Sequence, residues 1–151
     1  MIEAETILRL IETVDPNDTE KLDEIDARVY CYVRPEEFSY VSMSDNTDKD
    51  YCCYSFIAKY LGPKEKFVGL DMSRLIIRYT RSREELKAIR PDGVKWIRTT
   101  FCVDMGSISS IHIGSTIIDA GVLPTEELSE LHAIIQAIDY ERRSSQNHTN
   151  K

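Results

Sequence analysis

The sequence predicts an α+β fold in which an antiparallel sheet of about four strands packs against helices on one or both faces. Apolar residues recur at helical spacing near both ends of the chain, at Ala4, Ile7, Leu8, Ile11 and Val14 and again at Leu128, Leu131, Ile134, Ile135 and Ile138. Between them, runs of β-branched and aromatic residues are set off by turn-forming residues, the pattern of strands. With 151 residues, 42% hydrophobic and 30% charged, the chain suits one self-sufficient domain, assigned here to residues 1–143. The tail 144–151 contains no apolar residue and is expected to be disordered.

The first helix is predicted over Ile2 to Val14, with Glu3, Glu5 and Glu12 on its polar side. Asp15-Pro16 reads as an N-cap and first helical residue, opening a second helix that runs to about Val33 on Leu22, Ile25, Val29 and Val33. Arg34-Pro35 ends it, and the two helices are expected to form a hairpin. Residues 35–50 are polar and read as a loop. Strands are assigned near 51–60, 73–79, 94–104 and 108–118, although Tyr54, Ile57, Ala58 and Leu61 would also make one face of a helix. Ser82 with Glu85 three residues on is a capping box for a short helix to Ile89. Met105-Gly106-Ser107 is read as the turn between the last two strands, the second with Ile111, Ile113 and Ile117 on one face. The longest helix opens at Pro124, and Arg142 and Arg143 suit its C-terminal end.

A net charge of −7 and a pI near 5.0 disfavour duplex nucleic acid as a partner, because counterion release needs a basic surface. No apolar run approaches the roughly 20 residues that span a bilayer, and Met1-Ile2-Glu3-Ala4-Glu5 is acidic where a signal peptide is basic, so a cytoplasmic protein is expected. The four cysteines, Cys31, Cys52, Cys53 and Cys102, are irregularly spaced and read as reduced thiols.

Chemistry-bearing motifs are sparse. His112, His132 and His148 have no metal-ligand spacing, and a zinc site from Cys52, Cys53, Cys102 and His112 lacks the separated pairs such sites use. Cysteine catalysis by Cys52 or Cys102 with His112, oriented by Asp104, lacks an activating context; each thiol more simply fills core space. Gly62, Gly69, Gly93 and Gly106 make no phosphate-cradling loop and read as turns. Neither a catalytic residue, a metal nor a cofactor is therefore assigned.

Charge distribution carries the one sharper signal. Arg74, Arg78, Arg81, Arg83, Lys87, Arg90, Lys95 and Arg98 stand against Glu84, Glu85 and Asp92, a net of +5 that leaves −12 to the rest of a chain totalling −7. Arg74, Arg78, Arg81, Arg83 and Arg98, with Tyr79 and Trp96 as stacking surfaces, form a candidate anion or nucleotide site. The plainer reading is a solvated face of arginines pairing with local acids.

Tyr79-Thr80-Arg81-Ser82-Arg83-Glu84-Glu85-Leu86, then Arg90-Pro91-Asp92-Gly93 and Trp96, resembles the hallmark of the phage ABA sandwich domain family. Leu22 to Ala27 is similar to that family's early helix and Leu131 to Arg143 to its closing helix. The region Phe38 to Leu70 departs from the family as an insertion, and isoleucines stand in the closing helix where the family often has alanines. The resemblance implies a sandwich fold and a viral origin more than a chemistry. Two readings of function follow. One is a non-enzymatic, phage-encoded interaction protein whose acidic surface, including Asp45, Asp48 and Asp50, occupies a host defence or nucleic-acid enzyme. The other is a binder of a nucleotide-derived signal through the arginine strip, its pocket completed by a homodimer.

Overall fold

The computed structural model describes residues 2–36, 38–43, 53–58, 66–71 and 77–149. Its class is α+β, but in place of one sheet of about four strands the described residues form two antiparallel sheets of three. They fall into two compact units, Met1–Pro16 with Tyr79–Lys151, and Asn17–Arg78.

In the second unit, α2 (Thr19–Tyr32) packs against β1 (Phe38–Met43) and β2 (Cys53–Ala58), and β3 (Lys66–Asp71) completes the order β1-β2-β3. Asp18, not Asp15, caps α2: its carboxylate accepts from Lys21 N–H at 3.2 Å, while Pro16-Asn17 makes a turn before it. Leu22, Ile25 and Val29 are buried, as their spacing requires. β1 lies where the sequence reads as loop; Phe38 pairs with Ala58 and Met43 with Tyr54, with a register shift between Tyr40 and Ser42. β2 decides for strand in the segment 51–61. The predicted strand 73–79 lies partly outside the described residues, and its described end, Ile77 to Tyr79, is irregular chain entering a turn.

The first unit is built on β4 (Val94–Cys102), β5 (Gly106–Ile113) and β6 (Thr116–Asp119), in that order. The long helix α4 (Glu126–Thr149) packs across β5 with β4 and β6 to either side. Against α4 lie α1 (Ile2–Thr13) and α3 (Arg83–Leu86), the latter continuing as one 3-10 turn, Lys87–Ile89. Thus α1 packs on α4 within the first unit, and α2 on β1 and β2 within the second.

Ala4, Ile7 and Ile11 of α1, Leu128, Leu131, Ile134 and Ile135 of α4, Ile111 and Ile113 of β5, and Tyr79 and Leu86 are all buried. Each of these isoleucine and leucine side chains taken from water stabilises by about 1.5–3 kcal/mol. The Thr125 hydroxyl caps α4 by accepting from Leu128 N–H at 3.2 Å. Helix α4 also takes in residues 144–149, which composition assigns to a disordered tail. The segment 108–118 is not one strand, because Gly114 at φ 59° turns it back so that Ile113 pairs with Thr116 and His112 with Ile117. That turn reverses the parity, and Ile117 lies on the open face with His112 rather than on the core face with Ile111 and Ile113.

Candidate functional site

The N-terminus of α3 stands beside the first turns of α4. Ser82 caps α3 by accepting from Glu85 N–H at 3.4 Å, as the capping box predicts, which places Arg83 at the first helical position. Its Nε donates to Glu130 Oε2 at 2.8 Å and its Nη1 to Glu126 Oε2 at 3.2 Å. From the other end of the same short segment, Arg90 Nη2 donates to Glu130 Oε1 at 2.6 Å. The Glu130 side chain has no exposed surface, so each of its oxygens holds one guanidinium. The hydrogen bond to Glu130, chiefly, raises the Arg83 pKa above its ordinary value. Lys87 pairs with Glu84 at 3.0 Å.

This geometry takes two members of the predicted arginine site, Arg83 and Tyr79, into internal contacts. Arg83 spends its charge on Glu130 and Glu126, and Tyr79 is fully buried, so its ring offers no stacking surface. Arg81 is half-buried with interactions of its own, and Arg78 is exposed. Arg74 and the acidic candidates Asp45, Asp48 and Asp50 lie outside the described residues. Trp96 and Arg98 lie two residues apart on one face of β4, both exposed.

That face is the side of the sheet turned away from α4. Its rows follow from register: Trp96, His112 and Ile117 form one, Arg98, Ser110 and Asp119 the next, then Thr100 and Ile108, then Cys102 and Gly106. The Trp96 and His112 rings meet edge to face at a centroid distance of 5.4 Å. Ser110 Oγ donates directly to the Asp119 carboxylate with no histidine between them. Cys102 and His112 sit three rows apart, about 20 Å along the sheet at ~3.3 Å per residue, so they form neither a nucleophile–base pair nor a shared metal site. Among the described residues no group of His, Cys, Asp and Glu is placed to hold a metal ion. Nor is any helix among them long and apolar enough to cross a membrane.

The remaining histidine of the described interior, His132 on α4, has both ring nitrogens occupied. Nε2 lies 2.9 Å from Glu12 Oε1 and Nδ1 lies 2.6 Å from the Gln136 amide nitrogen. With Gln136 donating to Nδ1, Nε2 carries the proton toward Glu12, and the group ties α1 to α4 rather than facing a substrate.

Sequence reasoning missed the tip of the β4–β5 hairpin. Val103 is 75% exposed, Met105 68%, Phe101 59% and Val122 46%. They share one end of the sheet: Cys102 pairs with Gly106, Val103 to Met105 make the turn, and Val122 Cγ1 lies 3.3 Å from where a Cβ of Gly106 would stand. The available signal was Val103 and Met105 in a connection where polar residues are the norm. Comparison with protein-family models, with characterised proteins and with solved structures finds no match to this chain.

Proposed function

We propose that this protein is a non-enzymatic, phage-encoded interaction protein that seats the tip of its β4–β5 hairpin on a host protein. The observation that carries this reading is the concentration of exposed apolar side chains, Phe101, Val103, Met105 and Val122, at one end of the sheet, apart from the exposed Trp96 and Ile117 in the row toward its other end. Contiguous apolar surface costs free energy in water and is kept where a partner covers it. The exposed acids Glu5, Glu12, Asp18 and Glu20, on a chain of net charge −7, supply the complementary field for a basic partner site. The resemblance around Tyr79 to Trp96 supports the phage assignment, and with it an α/β/α sandwich. The nucleotide reading has less support, since Arg83 and Arg90 are paired with Glu130 and Glu126 and Tyr79 is buried.

The test is co-purification from bacterial lysate with tagged wild type and with Val103→Asp/Met105→Asp. Both positions are exposed, so the double variant should keep the wild-type stability to within about 0.5 kcal/mol. The expected outcome is a protein recovered in stoichiometric amount by wild type and lost with the variant. Recovery undiminished by the variant would remove the hairpin tip from the interface and this reading with it.

A further inference from the structure

With nine residues β4 is the longest described strand, and it lies at the edge of its sheet. The direction of its backbone groups follows from its neighbours. Ser107 exchanges both backbone hydrogen bonds with Leu123, and the Ser109 carbonyl accepts from Ala120 N–H, so these β5 residues point their polar groups away from β4. Their cross-strand partners Phe101 and Thr99 therefore occupy non-hydrogen-bonded positions against β5. By alternation, the N–H and C=O of Ile97, Thr99 and Phe101 point out of the open edge, which no strand among the described residues covers.

We infer that this edge pairs antiparallel with β4 of a second copy of the chain, across a two-fold axis at Thr99, joining two three-stranded sheets into one of six. A two-fold perpendicular to the sheet keeps both α4 helices on the same side and must pass through a residue, because only then do paired side chains share a face. An axis at Arg98 would set two guanidinium groups directly opposite one another. One at Ile97 would draw in the irregularity between Val94 and Trp96, and one at Thr100 would run the pairing into the hairpin turn. The axis at Thr99 alone uses regular strand throughout, Trp96 to Cys102.

In that register every pair is compatible. Thr99 meets its own counterpart, and Ile97 and Phe101 meet the partner's Phe101 and the partner's Ile97 on the helix side. On the open side Trp96 meets the partner's Cys102 and Arg98 the partner's Thr100. The pairing covers two large side chains that flank the edge from opposite faces, Phe101 and the 43% exposed Trp96. The six outward-facing residues of the two copies satisfy one another's backbone groups. Lys95, at the irregularity, falls outside the paired block and ends it, as edge charges and bulges commonly do. This interface shares Phe101 with the hairpin tip, but its backbone pairing lies along β4 and does not depend on what Val103, Met105 and Val122 bind.

Thr100 is exposed, so its replacement leaves the core untouched. Sedimentation of the full chain over a concentration series should show a species of twice the 17.4 kDa chain mass. Thr100→Glu sets a carboxylate opposite the partner's Arg98 twice per dimer and should tighten dimerisation about tenfold; Thr100→Arg sets like charges there and should weaken it about tenfold. General repulsion between chains of charge −7 acts in the opposite sense for both substitutions. A wild-type chain that sediments at 17.4 kDa throughout, or two substitutions that move the dissociation constant the same way, would overturn the inference.

Discussion

A carboxylate without exposed surface keeps its charge cheaply only while opposite charge lies within bonding distance, and Glu130 has two such partners on separate oxygens. Both arginines are partly solvated, so removing one leaves the other in place and water able to approach. Arg83→Ala or Arg90→Ala alone should cost about 1.5 kcal/mol. The double variant removes both counter-charges from the interior carboxylate and should cost about 3–5 kcal/mol, at least the sum of the single losses. Urea unfolding monitored through Trp96, the one tryptophan of the chain, measures all three. A double variant no worse than either single one would mean that water reaches the Glu130 carboxylate in the folded protein once the arginines are gone. The sequence makes Arg83 visible as a residue at a helix N-terminus, yet its partner Glu130 lies 47 residues further along. Local pattern carries the arginine and not its neutralisation, which is why a strip of net +5 reads as an anion site when part of it is internal ion pairing.

Elements whose burial follows a single period were legible, and those that depend on a turn were not. Helices α1, α2 and α4 follow from 3.6-residue spacing, with boundaries moved by caps: Asp18 replaces Asp15, and Thr125 caps the helix that Pro124 announces. Strand β1 is hidden because it lies in a polar stretch that reads as loop, although Tyr40 and Val41 stand between Ser39 and Ser42, with Phe38 and Met43 on either side. The one-strand reading of 108–118 fails at Gly114, where two residues of turn exchange the faces of everything beyond. The two glycines with positive φ in this sheet differ in a measurable way. At Gly106, φ is 115° and a Cβ would lie 2.3 Å from the Leu123 carbonyl oxygen, backbone that is held by its own hydrogen bonds to Ser107. At Gly114, φ is 59° and nothing lies within 4 Å. Gly114→Ala should therefore cost about 1 kcal/mol, the left-handed penalty alone, and Gly106→Ala more than about 2 kcal/mol, with the end of the hairpin displaced. Thermal unfolding of the two variants tests the order; equal losses would show that the Leu123 backbone yields freely.

At the scale of the whole molecule, exposed charge and exposed apolar surface act on the proposed partner in different ways, and the difference is kinetic. The apolar tip carries one acidic side chain, Asp104, and further exposed acids lie in each unit, among them Glu5, Glu12, Glu84, Glu85 and Asp92 in the first and Asp18, Glu20 and Glu36 in the second. A field set up by many exposed charges acts over about 8 Å at physiological ionic strength and steers encounter, while close apolar contacts at the tip resist separation. Raising the salt concentration from about 0.05 to 0.5 M should then lower the association rate with the captured host protein roughly tenfold or more and leave the dissociation rate nearly constant. Val103→Asp/Met105→Asp should do the reverse, raising the dissociation rate with a smaller effect on association, because it adds charge to a surface that works by exclusion of water. Surface plasmon resonance on the purified pair separates the two constants. A salt-insensitive association rate would remove the acidic surface from the mechanism while leaving the hairpin tip in it, and a salt-dependent dissociation rate would place charged pairs inside the contact itself.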